Sequence, residues 1–175
     1  RAMVYLGGNV LVLGTKTDGS SWRVAVQDPD DPSAYAGVLA LTDAFAVTSG
    51  GYQRYFEENG VRYQHILDPK TGYPAESGLT SVTVVAAANG PDYDSETPAP
   101  GSGAMCDAFS TALFVLGEEK ALDFWRTSGY DFELVLVTED GRVLVTEGLA
   151  DRFEQTEGSA YRYELIPRAD EARPG

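Results

Sequence analysis

The chain has 175 residues, of which 43% are hydrophobic, and it carries a net charge of −14 at pH 7. This length allows one domain with a hydrophobic core, and the acidic excess argues against a nucleic-acid partner, because a polyanion would be repelled. No segment approaches the roughly 20 consecutive apolar residues that span a bilayer. One cysteine and one histidine exclude an internal disulfide and a zinc site built from such ligands.

The chain opens directly on a strand pattern. Residues 3–13 are predicted to form a strand interrupted at Gly7-Gly8, where two glycines indicate a bulge or a close approach to the backbone. Residues 1–14, "RAMVYLGGNVLVLG", contain no initiator methionine at the start and no signal peptide. We therefore expect this sequence to be a piece of a longer protein.

Strand patterns continue through the first half of the chain. Apolar and β-branched residues predict single strands at 22–26, 39–47 and 79–87. Residues 52–57 and 61–67 are predicted to pair as a hairpin, because Asn-Gly at positions 59 and 60 is a strong two-residue turn signal.

The character of the sequence changes after residue 87. Residues 88–105 are acidic and rich in proline, glycine and serine, which predicts a flexible acidic loop. A helix is predicted at 106–116 with Gly117 as its C-terminal cap, and a second at 118–128 that ends at Gly129.

The C-terminal part returns to strands. Residues 132–146 predict a hairpin around Asp140-Gly141, and the last dozen residues are interpreted as a tail. The fold class is therefore α+β: a mainly antiparallel sheet with two helices near the C-terminal side. A dinucleotide-binding fold is excluded, because no G-x-G-x-x-G lies between a strand and a helix.

The first candidate site is a set of oxygen-bearing residues on the first predicted helix. Asp107 and Thr111 are four residues apart and share one face, with Ser110 near its edge. Such a carboxylate and hydroxyl can offer hard oxygens to Mg²⁺. The alternative is that Asp107 is a helix N-cap and Thr111 has no special role.

Two further stretches could bind a ligand. Thr48, Ser49 and Gly50-Gly51 form a small-residue turn that could hold a phosphate or a sugar hydroxyl, or could be an ordinary turn. His65 in "QHILDPKTGYP" could act as a base, an acid or a hydrogen-bond donor that neutralises a phosphate, or could be a half-buried structural histidine.

Taken in order, these stretches resemble the ApbE-type FAD:protein FMN transferases, formerly described as thiamine-biosynthesis lipoproteins. "YLGGNVLVLGTKTDGSSWRVAVQDP" is similar to the family's Gly-Gly strand and its W-R-V-x-I-Q-D-P strand. "AVTSGGYQRYFEENGVRYQHILDPKTGYP" is similar to T-S-G-x-Y-x-R-Y-F followed by H-I-[IL]-D-P-[RK]-T-G-x-P. "LTSVTVVA" resembles the next strand, and "CDAFSTALFVLGEEKALDF" the helix [AC]-D-A-x-[AS]-T-[AG]-L-[FM]-V-L-G.

The resemblance implies an activity and a set of site residues. Members use Mg²⁺ to split FAD and transfer FMN to a threonine or serine hydroxyl of an acceptor flavoprotein, with release of AMP. The implied metal ligands are Asp107, Ser110 and Thr111, and His65 is the implied catalytic residue. The implied FAD-binding residues are Gly7, Gly8, Thr48, Ser49, Gly50, His65, Ile66, Leu67 and Asp68.

The resemblance also implies what this chain lacks. Residues 1–175 correspond to the C-terminal portion of one catalytic domain, half of an ApbE-like (T-fold-like) domain, without the family's upstream D-[LF]-[GS]-[GA]-[IF]-A-K-G-x-x-[VA]-D motif. We therefore expect an N-terminal companion fragment, weak FAD binding without it, and an uncovered apolar sheet. The loop at 88–105 is longer than the family's usual link.

The sequence leaves two other activities open. The protein could hydrolyse FAD to FMN and AMP with water as acceptor, or could bind flavin without turnover. The family is commonly lipid-anchored outside the cytoplasmic membrane, and the resemblance places this protein there.

Overall fold

The computed structural model describes residues 1–88 and 102–168. Within these residues the largest sheet has seven strands, in the spatial order β1-β2-β5-β8-β9-β10-β12. Its strands are β1 (Ala2–Leu6), β2 (Asn9–Leu13), β5 (Ala44–Gly50), β8 (Leu79–Ala87), β9 (Glu133–Thr138), β10 (Arg142–Thr146) and β12 (Arg162–Ile166). Neighbouring strands are antiparallel except for β10 and β12, which are parallel.

Two smaller sheets and two helices complete the described fold. The three-stranded sheet contains β3 (Trp22–Gln27), β4 (Tyr35–Leu41) and β11 (Phe153–Gln155). The two-stranded sheet is a hairpin of β6 (Tyr55–Glu58) and β7 (Val61–Gln64). The helices are α1 (Ser102–Leu116) and α2 (Glu118–Thr127), and a short 3₁₀ turn covers Glu147–Leu149. The predicted α+β class with a mainly antiparallel sheet and two helices is confirmed.

The central strands of the large sheet are covered on both faces, whereas the edge strand β1 is exposed from Met3 to Leu6. Side chains of α1 and α2 pack with Val82, Val84, Leu134 and Leu136 on one face. Residues of β3 and β4 pack with β2, β5 and the other side of β8 and β9 on the opposite face. Because β8 is central and both of its faces are buried, its sequence "LTSVTVVAA" is almost continuously apolar or small instead of strictly alternating.

Several predicted elements are confirmed with small shifts at their ends. The strand at 79–87 has the predicted bounds, and the strand at 22–26 extends by one residue. The hairpin of β6 and β7 turns at Asn59 and Gly60, which both have positive φ, as a tight two-residue turn requires. Both strands of that hairpin are shorter than predicted.

Three predictions about strands and the C-terminal tail were wrong. Gly7-Gly8 is not a bulge inside one strand but the turn of the β1–β2 hairpin, since both glycines have positive φ. Residues 39–47 are not one strand: β4 ends at Leu41, and β5 begins after a turn in which Asp43 has a φ of 47°. The tail is partly structured, because β12 pairs with β10.

The predicted loop at 88–105 is corrected at its C-terminal end. Helix α1 begins at Ser102, four residues before the predicted start. Residues 89–101 lie outside the described part of the chain, and the remainder of the loop prediction falls there. No helix within the described residues is long and apolar enough to cross a membrane.

The β1–β2 turn offers a direct test of its backbone geometry. Gly7 has a φ of 56° with open space around its Cα, whereas Gly8 has a φ of 103°, and a side chain there would meet the Thr48 carbonyl at 3.3 Å. We expect Gly8→Ala to lower the free energy of unfolding by about 2–3 kcal/mol, because strain and crowding add. Gly7→Ala is the matched control and should cost about 1 kcal/mol.

Urea unfolding of both variants measures this difference. Equal costs at the two positions would contradict the assignment of Gly8 as the constrained residue of the turn.

Candidate functional site

The site is built where α1 lies along β5. At the start of the helix, a Cβ on Gly103 would lie 2.7 Å from the Phe45 ring, so glycine allows the helix to approach the strand. Seven residues later, the hydroxyl of Ser110 lies 2.8 Å from that of Ser49. The helix therefore runs in the same direction as the strand, and its second and third turns pass the carboxyl end of β5.

Three hydroxyl groups and one carbonyl group form a connected cluster at this point. Ser49 Oγ lies 2.8 Å from Ser110 Oγ and 3.0 Å from Thr111 Oγ1. Ser110 Oγ also donates to the Asp107 carbonyl oxygen at 3.0 Å. Ser110 is 0% exposed, whereas Thr111 is exposed, so Ser110 holds the cluster from behind and Thr111 faces outward.

The Asp107 carboxylate adjoins the same cluster. Asn9, the first residue of β2, donates from its side-chain amide to Asp107 Oδ1 at 3.1 Å. The interpretation of Asp107 as an N-cap was wrong, because α1 begins five residues earlier and Asp107 belongs to its second turn. Its side chain is exposed, so one carboxylate oxygen remains beside the hydroxyl of Thr111 on one helix face.

This donor set fits Mg²⁺ better than a softer metal. The oxygens are one carboxylate and neighbouring hydroxyls, which are hard ligands, and Mg²⁺ is usually held by one or two carboxylates together with substrate phosphates. No group of three or more His, Cys, Asp or Glu side chains able to hold a metal occurs in the described ranges. The cluster therefore suits an ion that arrives with a phosphorylated ligand.

Thr48, Ser49 and Gly50 do not form the predicted turn but are the last three residues of β5. Thr48 and Ser49 point to opposite faces of the sheet, as successive strand residues do. Thr48 pairs its hydroxyl with that of Thr83 at 2.8 Å, away from α1. Of the predicted T-S-G stretch, only Ser49 therefore joins the cluster. Gly50 has a packing role, since a Cβ there would lie 2.4 Å from the Tyr52 ring.

The Gly7-Gly8 turn lies next to the cluster through the residue that follows it. The carbonyl of Gly8 accepts a hydrogen bond from the Thr48 backbone amide at 3.3 Å, which ties the turn to β5. This contact places Asn9, the next residue, within hydrogen-bonding distance of Asp107. The sequence analysis missed Asn9, although its position directly after a predicted glycine site was a usable signal.

The segment His65 to Asp68 divides into two kinds of residue. Ile66 is buried in the core beneath α1, and the Asp68 carboxylate accepts the Lys70 backbone amide at 2.8 Å, which closes the following turn. His65 and Leu67 are exposed. Two of the four residues predicted to face the nucleotide are therefore accounted for by packing and turn formation.

His65 is held in one orientation by the backbone of Arg54, on the preceding segment of the same chain. Its Nδ1 lies 3.1 Å from the Arg54 carbonyl oxygen, and its backbone amide donates to the same oxygen at 3.1 Å. Because a carbonyl oxygen can only accept, Nδ1 carries the proton in the neutral ring and Nε2 is left as an acceptor. The described contacts of His65 are with Arg54 and do not reach the Asp107 cluster.

A cavity of about 480 Å³ reaches the chain just beyond the cluster residues in sequence, at Gly51 after β5 and at Phe114 of α1. Phe114 belongs to its wall and follows Thr111 by three residues, a rise of about 4.5 Å along an α-helix. The wall also contains three tyrosines and three carboxylates: Tyr52, Tyr63, Tyr73, Asp30, Glu76 and Glu139. The cavity is thus aromatic and acidic, which favours a planar uncharged group over an anion, and the sequence analysis did not single it out.

Comparison with known proteins identifies the family of this chain. A family model described as the ApbE family matches residues 1–136. The chain is 33% identical to an FAD:protein FMN transferase of Haemophilus influenzae and 37% identical to one of Treponema pallidum, over 88% and 86% of its length. The chain belongs to the ApbE family.

Solved structures show the same relationship. The ApbE protein of Thermotoga maritima is matched with a TM-score of 0.63 and 34% identity over 89% of this chain, and 42% of that chain is covered. The apo form of the Pseudomonas stutzeri flavinyl transferase ApbE is matched with a TM-score of 0.56 and 33% identity over 88% of this chain, and 40% of that chain is covered. Of the two curated relatives, this chain spans 41% and 40%.

Cys106 lies directly before Asp107, and its thiol is buried and unreactive at neutral pH. Burial, with a smaller contribution from the Asp107 charge, raises the pKa of its thiol to about 12. We therefore expect almost no reaction with a disulfide reagent such as DTNB at pH 8 in the folded protein, and full reaction after unfolding in urea.

The same shift predicts a pH dependence. The pKa of Cys106 is higher in the folded than in the unfolded protein, so above about pH 9 the unfolded protein ionises first. The contribution of this thiol to the free energy of unfolding is therefore fully present below about pH 9 and is lost as the pH rises toward 12. Cys106→Ala should lose less stability than the parent over that interval, and identical slopes would contradict the assignment.

Proposed function

We propose that the protein carrying this chain is an FAD:protein FMN transferase that moves FMN from FAD to a threonine or serine hydroxyl of an acceptor protein. The acceptor oxygen forms a bond to the FMN-side phosphorus, the bond from that phosphorus to the AMP phosphate breaks, and AMP leaves. The observation that carries the proposal is the cluster in which Asp107 and Thr111 stand together at the end of β5.

The proposed metal ion is Mg²⁺, held by Asp107 and Thr111 with Ser110 behind them. The bound ion would offset the negative charge of the pyrophosphate during transfer. The chain itself supplies the orientation: Asn9 holds one carboxylate oxygen, and Ser49 holds the hydroxyl of Thr111. Positioning and charge stabilisation of this kind account for most catalysis of phosphoryl transfer.

The aromatic cavity is the proposed place for a planar ring of FAD. It meets α1 at Phe114, three residues after Thr111, and its size lies within the range typical of small-molecule pockets, about 300–1,000 Å³. Its acidic residues disfavour a phosphate inside it. This arrangement would place the phosphates at the cluster and a ring beside Tyr73 and Phe114.

His65 is the proposed proton acceptor or substrate contact. Its Nε2 is available as an acceptor because Nδ1 faces the Arg54 carbonyl. The acceptor hydroxyl must lose a proton when its oxygen attacks, and a neutral imidazole is suited to receive that proton.

We also propose that an upstream polypeptide completes the active site. The edge strand β1 leaves the side chains of Tyr5 and Leu6 68% and 71% exposed, and large exposed apolar side chains on an edge strand are typical of a surface that another polypeptide covers. The relatives contain more than twice the length that this chain spans. An extracytoplasmic, lipid-anchored location belongs to the same proposal and rests on the family alone.

A single assay separates the candidate activities. The protein is incubated with FAD, Mg²⁺ and an acceptor flavoprotein subunit, and the denatured acceptor is examined for covalent flavin fluorescence. Fluorescence on the acceptor supports FMN transfer. Free FMN and AMP without an acceptor would instead indicate FAD hydrolysis, and unchanged FAD would indicate flavin binding without turnover.

The metal assignment predicts the effect of Asp107→Ala. We expect Mg²⁺-dependent turnover to fall by about 100-fold or more, because a charged group aimed at the reacting phosphate is lost. The fold should persist, since the Asp107 side chain is exposed. Asp123→Ala, which removes an exposed carboxylate from α2, is the matched control and should retain activity. Comparable activity in both variants would exclude Asp107 as a ligand.

The assignment of His65 predicts a kinetic change. His65→Ala should raise the KM for FAD if the ring contacts the substrate, and should also lower kcat if Nε2 accepts the proton. Steady-state kinetics at several FAD concentrations measure both constants. Unchanged values for both would leave His65 with only its contact to Arg54.

A further inference from the structure

We infer that Asn9 and Ser49 are positioning residues that orient the two metal-binding side chains of α1 before the ion arrives. Asn9 acts on Asp107, and Ser49 acts on Thr111. The inference rests on the proposed Mg²⁺ site, and it assigns a role to two strand residues that would not touch the ion themselves.

The direction of the hydroxyl protons follows from the acceptor at the end of the cluster. The Asp107 carbonyl oxygen can only accept, so Ser110 must donate its proton to it. Ser110 then has no proton for Ser49, and the 2.8 Å contact between them requires Ser49 to donate. The 3.0 Å contact between Ser49 and Thr111 in turn requires Thr111 to donate.

All three contacts are satisfied together only with protons running from Thr111 to Ser49, to Ser110 and to the helix carbonyl. This order directs the Thr111 proton toward the sheet and away from solvent. The oxygen of Thr111 keeps both lone pairs, which is the state that a cation ligand needs. Without Ser49 the hydroxyl could rotate and present its proton to the ion.

Asn9 performs the corresponding function for the carboxylate. Its amide donates to Asp107 Oδ1 at 3.1 Å, which fixes the plane of the carboxylate and leaves Oδ2 for another partner. An amide is suited to this position because it donates without adding charge. An aspartate at residue 9 would accept instead and would repel Asp107.

Orientation matters more here than in a site with many carboxylates. The cluster offers one formal charge, and residues 1–88 and 102–168 contain no group of three or more His, Cys, Asp or Glu side chains arranged to hold a metal ion. Residues that orient metal ligands from behind typically contribute about 10–100-fold to affinity. Asn9 and Ser49 also lie on a rigid support, since their strands, β2 and β5, are hydrogen-bonded to each other.

The test measures Mn²⁺ binding by electron paramagnetic resonance, with ADP present as a diphosphate that contains no flavin. We expect Asn9→Leu and Ser49→Ala each to weaken Mn²⁺ binding by about 10–100-fold. Ser33→Ala, which removes a hydroxyl from the exposed loop before β4, is the matched control and should bind like the parent. Thermal unfolding of each variant shows whether the fold is retained.

Double variants distinguish positioning from a general structural effect. Ser49→Ala should have almost no further effect on Mn²⁺ affinity in a Thr111→Val background, and Asn9→Leu almost none in an Asp107→Ala background. Full additive losses in these backgrounds would overturn the inference, as would parent-like binding by both single variants. If Asp107→Ala itself bound Mn²⁺ like the parent, the proposed metal site would fail first.

Discussion

The close contact of α1 with β5 is the constraint on which the rest of the site depends. Gly103 lets the helix lie against the Phe45 ring, and the buried hydroxyl of Ser110 then meets Ser49. A helix displaced by one side-chain thickness would break the hydrogen bond between Ser110 and Ser49, at a cost of about 0.5–1.5 kcal/mol, and would leave Ser110 with its bond to the Asp107 carbonyl oxygen. The packing that buries the core therefore also sets the position of Asp107 and Thr111.

The small charge of the cluster shapes its chemistry. A single carboxylate does not neutralise a divalent ion, so the ion and a diphosphate should bind each other's sites more tightly when both are present. The neighbouring cavity adds acidic groups instead of cations, so under the proposed function the phosphates would stay with the ion at Asp107. The order of groups along α1 thus suits a ligand with phosphates at one end and a ring beside them.

The sequence predicted the fold class and the helix residues of the site because their signals are local. The strand at 79–87 has a strong β-branched pattern, and the spacing of Asp107 and Thr111 fixes their shared face. The turn at Asp43 was missed because only Thr42 and Asp43 interrupt the apolar residues there, and the turn is held by backbone amides from distant residues: Gly14 donates to the Asp43 carboxylate and Ala88 to the Asp43 carbonyl oxygen. Such a contact joins residues that are distant in sequence.

Asn9 was missed for the same reason. Its place directly after Gly7-Gly8 is a weak local signal, and its role depends on Asp107, 98 positions further along the chain. Thr48 and Asp68 also belong to motif-like stretches, but the Thr48 hydroxyl lies on the opposite face of the sheet from Ser49, and the Asp68 carboxylate lies in a turn. A resemblance places a stretch near a ligand, but strand alternation decides which side chains face it.

The β1–β2 hairpin connects the site to the unpaired edge of the sheet. Gly8 ties the turn to Thr48, Asn9 reaches Asp107, and β1 presents its other edge without a partner strand in the described residues. A strand added along β1 would hold the hairpin from outside and restrict the movement of Asn9. The polypeptide proposed to cover this edge would therefore complete the site in two ways, by its own groups and by stabilising the residue that orients the carboxylate.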